Sequence, residues 1–301
     1  MEKLRNRNFI HASPAIVNAK YSLTKSESDL VLMLLAQIDK SDIYLKRYEF
    51  TKKELEDQIR VKINSKQLYF TAKSLMGKVL SIWTNEEKWE LYTWFSKFKY
   101  DNEIIEVGFH EDLYPYLLEL KQYVIGDNRH LLEMKSDYSR RIYMLLKEFS
   151  KFGTRTFNVE ELQEMLDVPN SFKIYSKFKQ GILTKAKKEI DKYTDLEISF
   201  EEVKRGRKVV EVTFSIKQNK NDLKTFIGYI RELYVNELLY YSKDGRPLKC
   251  SADGLLYYAD ETMQTLDSKT ANKAWEFLHE HRDNLECFKP NLFDYEKEDN
   301  Q

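Results

Sequence analysis

Apolar positions along the chain fall into runs whose spacing predicts helices first and strands second. Leu30 to Ala36 is uninterrupted apolar sequence; with Ile38 it is too uniformly apolar for a surface helix and predicts a buried one. The segment before it, Ser22-Leu23-Thr24-Lys25-Ser26-Glu27, carries a start signal. The Thr24 hydroxyl can accept from a free backbone N–H while Glu27, three residues on, reaches back. Tyr138, Ile142, Leu145, Leu146 and Phe149 recur at three- and four-residue steps and predict a second such helix. Nine glycines and five prolines in 301 residues leave few interruptions, so most of the chain reads as helix.

One pattern occurs twice. Phe50-Thr51-Lys52-Lys53-Glu54-Leu55, with Ile59 and Val61, matches Phe157-Asn158-Val159-Glu160-Glu161-Leu162, with Leu166 and Val168, at a constant offset of 107. After a one-residue insertion the offset of 108 pairs Phe70 with Phe178, Leu75 with Leu183 and Ile82 with Ile190. In each copy Thr51 or Asn158 can cap a helix, and a turn and a longer helix follow. Alternating apolar and polar residues then predict strands, over 89–99 in the first copy and 196–216 in the second. Helix, turn, longer helix and β-hairpin is the order of a winged helix, and eight positions in register argue for a duplicated fold. The helix over 138–149 opens the second copy as that over 30–38 opens the first. The expected fold is α+β and mostly helical: tandem duplicated winged helices over 1–112 and 113–220, then a small acidic helical region, 221–301. There Phe226, Ile227, Ile230, Leu233, Tyr234 and Leu238 predict one amphipathic helix and residues 271–288 a second. Residues 248–258, with Gly254, read as a turn or short hairpin.

Charge changes the picture because its distribution is uneven. The 49 Lys+Arg and 49 Asp+Glu cancel overall. Residues 1–120 hold 18 of each, residues 121–220 hold 21 basic and 15 acidic, and residues 221–301 hold 10 basic and 16 acidic. The middle third is a candidate polyanion surface; the last third is not. If residues 171–192 form the second copy's long helix, Phe172, Tyr175, Phe178, Ile182, Ala186 and Ile190 share one face. Lys173, Lys177, Gln180, Thr184 and Lys188 line the other. Such a stripe suits the major groove, Gln pairing with adenine, Lys with guanine, and further lysines with phosphates. An ordinary solvated face is the alternative. Around Gly206, Lys204, Arg205, Arg207 and Lys208 cluster at a hairpin tip, where mutual repulsion favours an anionic partner. In the first copy a helix over 65–80 offers Lys66, Lys73 and Lys78, but the hairpin near Asn85-Glu86-Glu87-Lys88 is acidic. That copy is expected to touch DNA weakly or to serve as a protein interface, with Trp89, Leu91, Tyr92 and Trp94 available to another subunit or else in the core.

Several functions find no support. There is no G-x-x-x-x-G-K-[ST] run for a P-loop ATPase. His279-Glu280-His281 is close to the His-hydrophobic-His metal motif of rolling-circle nucleases, but its middle residue is Glu and helical i and i+2 positions point apart. No catalytic residue, metal site or cofactor is expected. Two cysteines exclude a disulfide framework, the start lacks the apolar stretch of a secretory signal, and no run spans a bilayer. A soluble, cytoplasmic protein without membrane contact is the expectation.

The chain resembles plasmid replication initiator (Rep) proteins of the iteron-binding type, which have two winged helices. The resemblance is carried by Val17-Asn18-Ala19-Lys20-Tyr21-Ser22-Leu23-Thr24, by Leu117-Leu118-Glu119-Leu120-Lys121, and by Leu132-Glu133-Met134-Lys135-Ser136-Asp137-Tyr138-Ser139-Arg140-Arg141-Ile142-Tyr143. It continues in Phe178-Lys179-Gln180-Gly181-Ile182-Leu183-Thr184-Lys185-Ala186-Lys187-Lys188-Glu189-Ile190 and Lys204-Arg205-Gly206-Arg207-Lys208. It implies binding of repeated double-stranded origin sites, mainly through the second winged helix, with a dimer interface on the first. It further implies origin opening, recruitment of a host replication initiator or helicase machinery, and autorepression by dimers. A stand-alone winged-helix transcriptional repressor is the rival reading. The acidic tail suits protein contact better than DNA.

Overall fold

The computed structural model describes residues 9–38, 42–85, 87–118, 124–219, 227, 230, 234, 236–251 and 255–280. The chain divides into two units, residues 1–219 and 220–301, each with its own core.

The first unit opens with β1 (Phe9–Ala12) and α1 (Pro14–Asn18), followed by α2 (Lys25–Leu35). Helix α2 is the buried helix of the apolar run, with Leu30, Val31, Met33, Leu34 and Leu35 in the core. Its capping box is formed: Thr24 N–H donates to the Glu27 carboxylate at 2.7 Å and the Thr24 hydroxyl accepts from Glu27 N–H. The chain continues through β2 (Arg47–Thr51), α3 (Lys52–Ile59) and α4 (Ser65–Met76). Two antiparallel hairpins follow, β3 (Val79–Asn85) with β4 (Lys88–Thr93) and β5 (Phe95–Asp101) with β6 (Ile104–Phe109). Next come α5 (Tyr114–Leu117), β7 (Val124–Asp127) paired with β1, and α6 (Asn128–Glu133). The second copy consists of α7 (Asp137–Lys147), β8 (Thr154–Asn158), α8 (Val159–Met165), a long helix, β9 (Leu196–Arg205) and β10 (Lys208–Gln218).

The duplication extends into the sheets. Their orders are β2-β6-β5 and β8-β10-β9. Phe50 lies opposite Ile105 and Phe157 opposite Val212, so the partner strands keep the same offset, 212 − 105 = 107. Thr51 caps α3 in a box with Glu54, and the Asn158 side chain caps α8 by accepting from the N–H groups of Glu160 and Glu161. Each cap is worth about 1 kcal/mol.

Three expectations need correction. Residues 89–99 are strands as expected but belong to two different hairpins, because Trp94 turns into the core, fully buried, with its ring edge-on to Tyr21 at 5.2 Å. The hairpin at 85–88 is therefore an added ribbon. The first copy's wing is β5–β6, turned by Asn102 and Glu103, both at positive φ. Helix α4 ends at Met76, capped by Gly77, so Ile82 lies in a strand while Ile190 lies in a helix. Phe70 is 56% exposed where Phe178 is fully buried; of the pairs at offset 108 only Leu75 and Leu183 share a buried helical position. In the second unit the short hairpin read over 248–258 is present, but a further strand beginning at Leu238 stands where the spacing predicts a helix.

That unit has an antiparallel meander of β11 (Leu238–Tyr241), β12 (Pro247–Cys250) and β13 (Leu256–Tyr258), followed by α11 (Ser268–Glu280). Trp275 and Leu278 of α11 share a core with Leu239, Leu248, Cys250 and Leu256. Leu238 starts a strand rather than ending a helix. Ile227 and Ile230 are helical; Phe226, Leu233 and residues 281–288 lie outside the described residues. Arg246 stacks on Tyr258 at 3.8 Å and donates to Asp260, which holds that carboxyl well below its usual range. Among the described residues, no helix is long and apolar enough to cross a membrane.

Within the first unit α7 serves both copies. Its apolar residues, Ile142, Leu145 and Leu146, are buried, and so are Arg140 and Arg141. Arg140 donates to Asp29 of α2 at 2.6 Å and to the Met134 carbonyl at 2.9 Å. Arg141 donates to the carbonyls of Ala19 and Tyr21, both at 2.6 Å, and lies over the Tyr21 ring. Arg155, at the start of β8, reaches Asn18 at 2.7 Å. Three arginines thus tie the second copy to residues 18–29 of the first.

Candidate nucleic-acid interface

The long helix of the second copy begins at Tyr175 rather than Ser171. Asn170–Phe172 form a 3-10 turn, and Lys173 and Ile174 connect it to α9 (Tyr175–Phe178), a π-turn (Lys179–Leu183) and α10 (Thr184–Tyr193). Two contacts hold the entry turn apart from the helix. Gln163 of α8 donates to the carbonyls of Phe172 and Lys173 at 3.0 and 3.2 Å. The Phe172 ring lies where only a glycine leaves room: a Cβ on Gly181 would come within 2.4 Å of it.

Phe178, Ile182, Leu183, Ala186 and Ile190 are buried, and each larger side chain contributes about 1.5–3 kcal/mol to fixing the helix on the core. The wider π-turn lets adjacent Ile182 and Leu183 both face inward. Outward, Lys177, Gln180 and Lys188 are exposed and Thr184 is half-buried. Lys173 is exposed but precedes the helix, so it belongs with the wing rather than the stripe. It lines a cleft of about 660 Å³ with Tyr175, Arg205, Arg207 and Lys208, closed on the α8 side by Glu160.

The wing is β9–β10, joined by Gly206-Arg207 with Gly206 at φ +62°. Lys204, Arg205, Arg207 and Lys208 are all exposed, but they are not equivalent. Lys208 pairs with Glu160 at 2.7 Å, and Lys204 lies 3.9 Å from Glu202. Among the described residues Lys173, Lys177, Lys188, Arg205 and Arg207 form no ion pair. Lys173, Arg205 and Arg207 share the cleft and Lys177 and Lys188 are exposed on the adjoining helix, so this winged helix carries unpaired cations suited to a polyanion.

Glu202 organises the centre of that surface. Its carboxylate accepts from Lys179 at 2.6 Å and from the Tyr175 hydroxyl at 3.0 Å, tying the start of the helix to the base of the wing. The Lys179 bond, followed by that of Tyr175, holds the Glu202 carboxyl below its usual range; burial and the same bond push the Tyr175 phenol up. The Lys208 contact similarly lowers Glu160. Sequence spacing gives no sign of Glu202 or Gln163, whose roles come from strand register and loop path. Gly181, a glycine inside a helical run, is the one legible marker of a close approach.

The first copy presents less charge. Lys66 and Lys73 are exposed on α4, whereas Lys78 follows the helix end and lies 4.0 Å from buried Glu27. Its wing cations are neutralised, Lys97 by Glu106 and Lys99 by Asp101, and Lys52 at the start of α3 pairs with Glu103 of the tip. On the added ribbon Trp89 and Leu91 are exposed, and Trp83 faces Trp89 at 6.2 Å. Tyr92 is half-buried, and Trp94 is core, which takes it out of reach of a second subunit. Among the described residues no group of three His, Cys, Asp or Glu could hold a metal ion; His279 is buried near the end of α11, and His281 lies outside the described residues.

Comparison with known proteins agrees with this architecture. Residues 10–147 match the family described as Initiator Replication protein, WH1, and residues 158–216 the one described as Initiator Rep protein, WH2. The first match includes α7. A replication initiation protein of Escherichia coli is 26% identical over 251 residues, covering 79% of this chain and 77% of the relative. A crystal structure of the Pi initiator protein in complex with iteron DNA superposes with a TM-score of 0.58 at 20% identity, over 72% of this chain and 99% of that one. At that identity the likeness is one of fold. With two winged helices matched in order and a shared sheet register between them, the chain belongs to the family of replication initiator proteins.

Proposed function

We propose that this initiator recognises directly repeated double-stranded sites at a plasmid replication origin, with the second winged helix as its main reader. The observation that carries the reading is a cleft that brings unpaired Lys173, Arg205 and Arg207 together at the start of the helix whose outward positions are Lys177, Gln180, Thr184 and Lys188. Helix side chains read base edges while the wing and Lys173 hold phosphates. The Pi initiator, bound to iteron DNA in its crystal structure, supports the choice of ligand. In this reading Lys204 and Lys208 contribute after exchanging a carboxylate for a phosphate, and Lys66 and Lys73 of the first copy touch an adjoining stretch. The protein acts without catalysis, in the cytoplasm, by holding and opening DNA for host replication machinery. Bound beside its own gene, the same surface serves autorepression.

The test is fluorescence anisotropy with a duplex carrying a repeat from beside the gene and with a scrambled duplex of the same composition. A preference of roughly a thousandfold or more at near-physiological salt is expected; equal weak binding would reduce the stripe to a solvated face. A plasmid carrying the gene and its flanking repeats separates initiator from repressor, since only an initiator sustains its replication.

A further inference from the structure

The outward face of α4 in the first copy differs from its counterpart in one respect. Leu68, Ala72 and Leu75 are buried, and the opposite face carries Lys66, Tyr69, Phe70 and Lys73. Where the second copy has lysine, glutamine and threonine, the first has two neighbouring rings, 58% and 56% exposed and edge-on at 5.5 Å. Phe70 has no polar atom, and no packing of this unit covers it. The flanking lysines are seven residues apart, about 10.5 Å along a helix at 1.5 Å per residue. That is close to the roughly 12 Å width of the major groove of B-DNA. A ligand that fits presents phosphates at both ends and an apolar surface between them. In the major groove that apolar surface is the thymine C5-methyl group.

We infer that Tyr69 and Phe70 are specificity residues that read thymine methyl groups in the stretch adjoining the repeat recognised by the second copy. The inference rests on the proposed DNA reading and extends it to a base preference. It also accounts for the electrostatics of the first copy. With its wing cations neutralised by Glu106 and Asp101, and Lys52 paired with Glu103, α4 keeps two lysines to position it and relies on apolar contact for the rest. Recognition by the first copy is therefore weakly salt-dependent and methyl-dependent, whereas that by the second is strongly salt-dependent.

The test uses the full chain and one duplex from the repeats beside its gene in three forms: with thymine throughout, and with deoxyuridine replacing thymine in either half. Deoxyuridine keeps every hydrogen bond and removes only the methyl. Wild type is expected to lose about five- to tenfold in affinity when the half facing the first copy carries deoxyuridine. The combined variant Tyr69→Ala, Phe70→Ala is expected to bind the thymine duplex as weakly as wild type binds that deoxyuridine duplex, and to show no further loss. Phe70→Leu, which keeps an apolar tip, is expected to retain the discrimination. Lys177→Ala lowers affinity overall but leaves the thymine-to-deoxyuridine ratio intact, so failure of the main reading is separable from failure of this one. An unchanged ratio in Tyr69→Ala, Phe70→Ala would overturn the inference. So would unaltered DNA binding with a changed sedimentation coefficient, since the rings would then face a protein. Because both rings are exposed, an unchanged melting temperature is expected and serves as the folding control.

Discussion

At the scale of single residues, the proposed reading surface depends on contacts that carry no charge to DNA. Gly181 gives the Phe172 ring its place and thereby sets where Lys173 leaves the entry turn. Gly181→Ala is expected to destabilise the first unit by about 1–3 kcal/mol through overpacking. Phe172→Ala in the same chain should recover part of the loss, and denaturant titration of the single and double variants measures the coupling. Glu202 is the second such contact, a carboxylate among cations. Its folded pKa lies below the ordinary glutamate value, so its stabilising effect is complete above about pH 4.3 and is lost as pH falls through the lowered value. Thermal melts between pH 3 and 6 should show less acid sensitivity in Glu202→Gln than in wild type. The same variant is expected to bind scrambled DNA more tightly, because one repelling charge is gone, and to discriminate less well.

At the scale of elements, variants of helix and wing should separate if, as proposed, the helix reads bases and the wing holds phosphates. Arg205→Ala with Arg207→Ala is expected to weaken all duplexes alike and to reduce the slope of log K against log salt by about 1.8, at about 0.9 per phosphate neutralised. An unchanged slope would remove the wing from the interface. Lys177→Ala with Gln180→Ala should instead cost about 1–3 kcal/mol of discrimination for each base no longer read, with a smaller change in slope. Much of this layout is legible in the amino-acid sequence, because capping boxes and buried helix faces are local patterns: Thr24 with Glu27, Asn158, and the Phe178–Ile190 face all follow from spacing. What is not legible depends on tertiary path. Trp94 looks like one more member of an alternating strand, yet it turns inward to meet Tyr21, and that turn creates the added ribbon and moves the wing to β5–β6. Phe70 scans as a core residue for the same reason, since a 108-residue offset says nothing of which face a helix presents. In the second unit the β12–β13 hairpin falls on residues 248–258, read as a turn or short hairpin, whereas β11 is hidden because Leu238 fits a helical step as well as it starts a strand.

At the scale of the whole first unit, the two copies share one core, and α7 is its seam. Arg140→Met leaves Asp29 buried with only Lys25 to face it and is expected to cost about 3–5 kcal/mol, measured by denaturant titration. Asp29→Leu with Arg140→Met removes both charges and should recover most of that loss. A helix that begins the second winged helix by order is thus held by residues 18–29 through Arg140 and Arg141. The seam bears on how such proteins exchange parts during descent. A crossover placed just before α7 would combine an arginine from one lineage with a carboxylate environment from another and strand both in the interior. A crossover after Lys147 keeps Arg140 and Arg141 with their partners in residues 19–29 and leaves fewer contacts to match across the join, chiefly Arg155 with Asn18 and Asp195 with Tyr143 and Lys147. A chimaera of two such chains joined after Lys147 should therefore be more stable than one joined just before α7, a difference that denaturant titration measures.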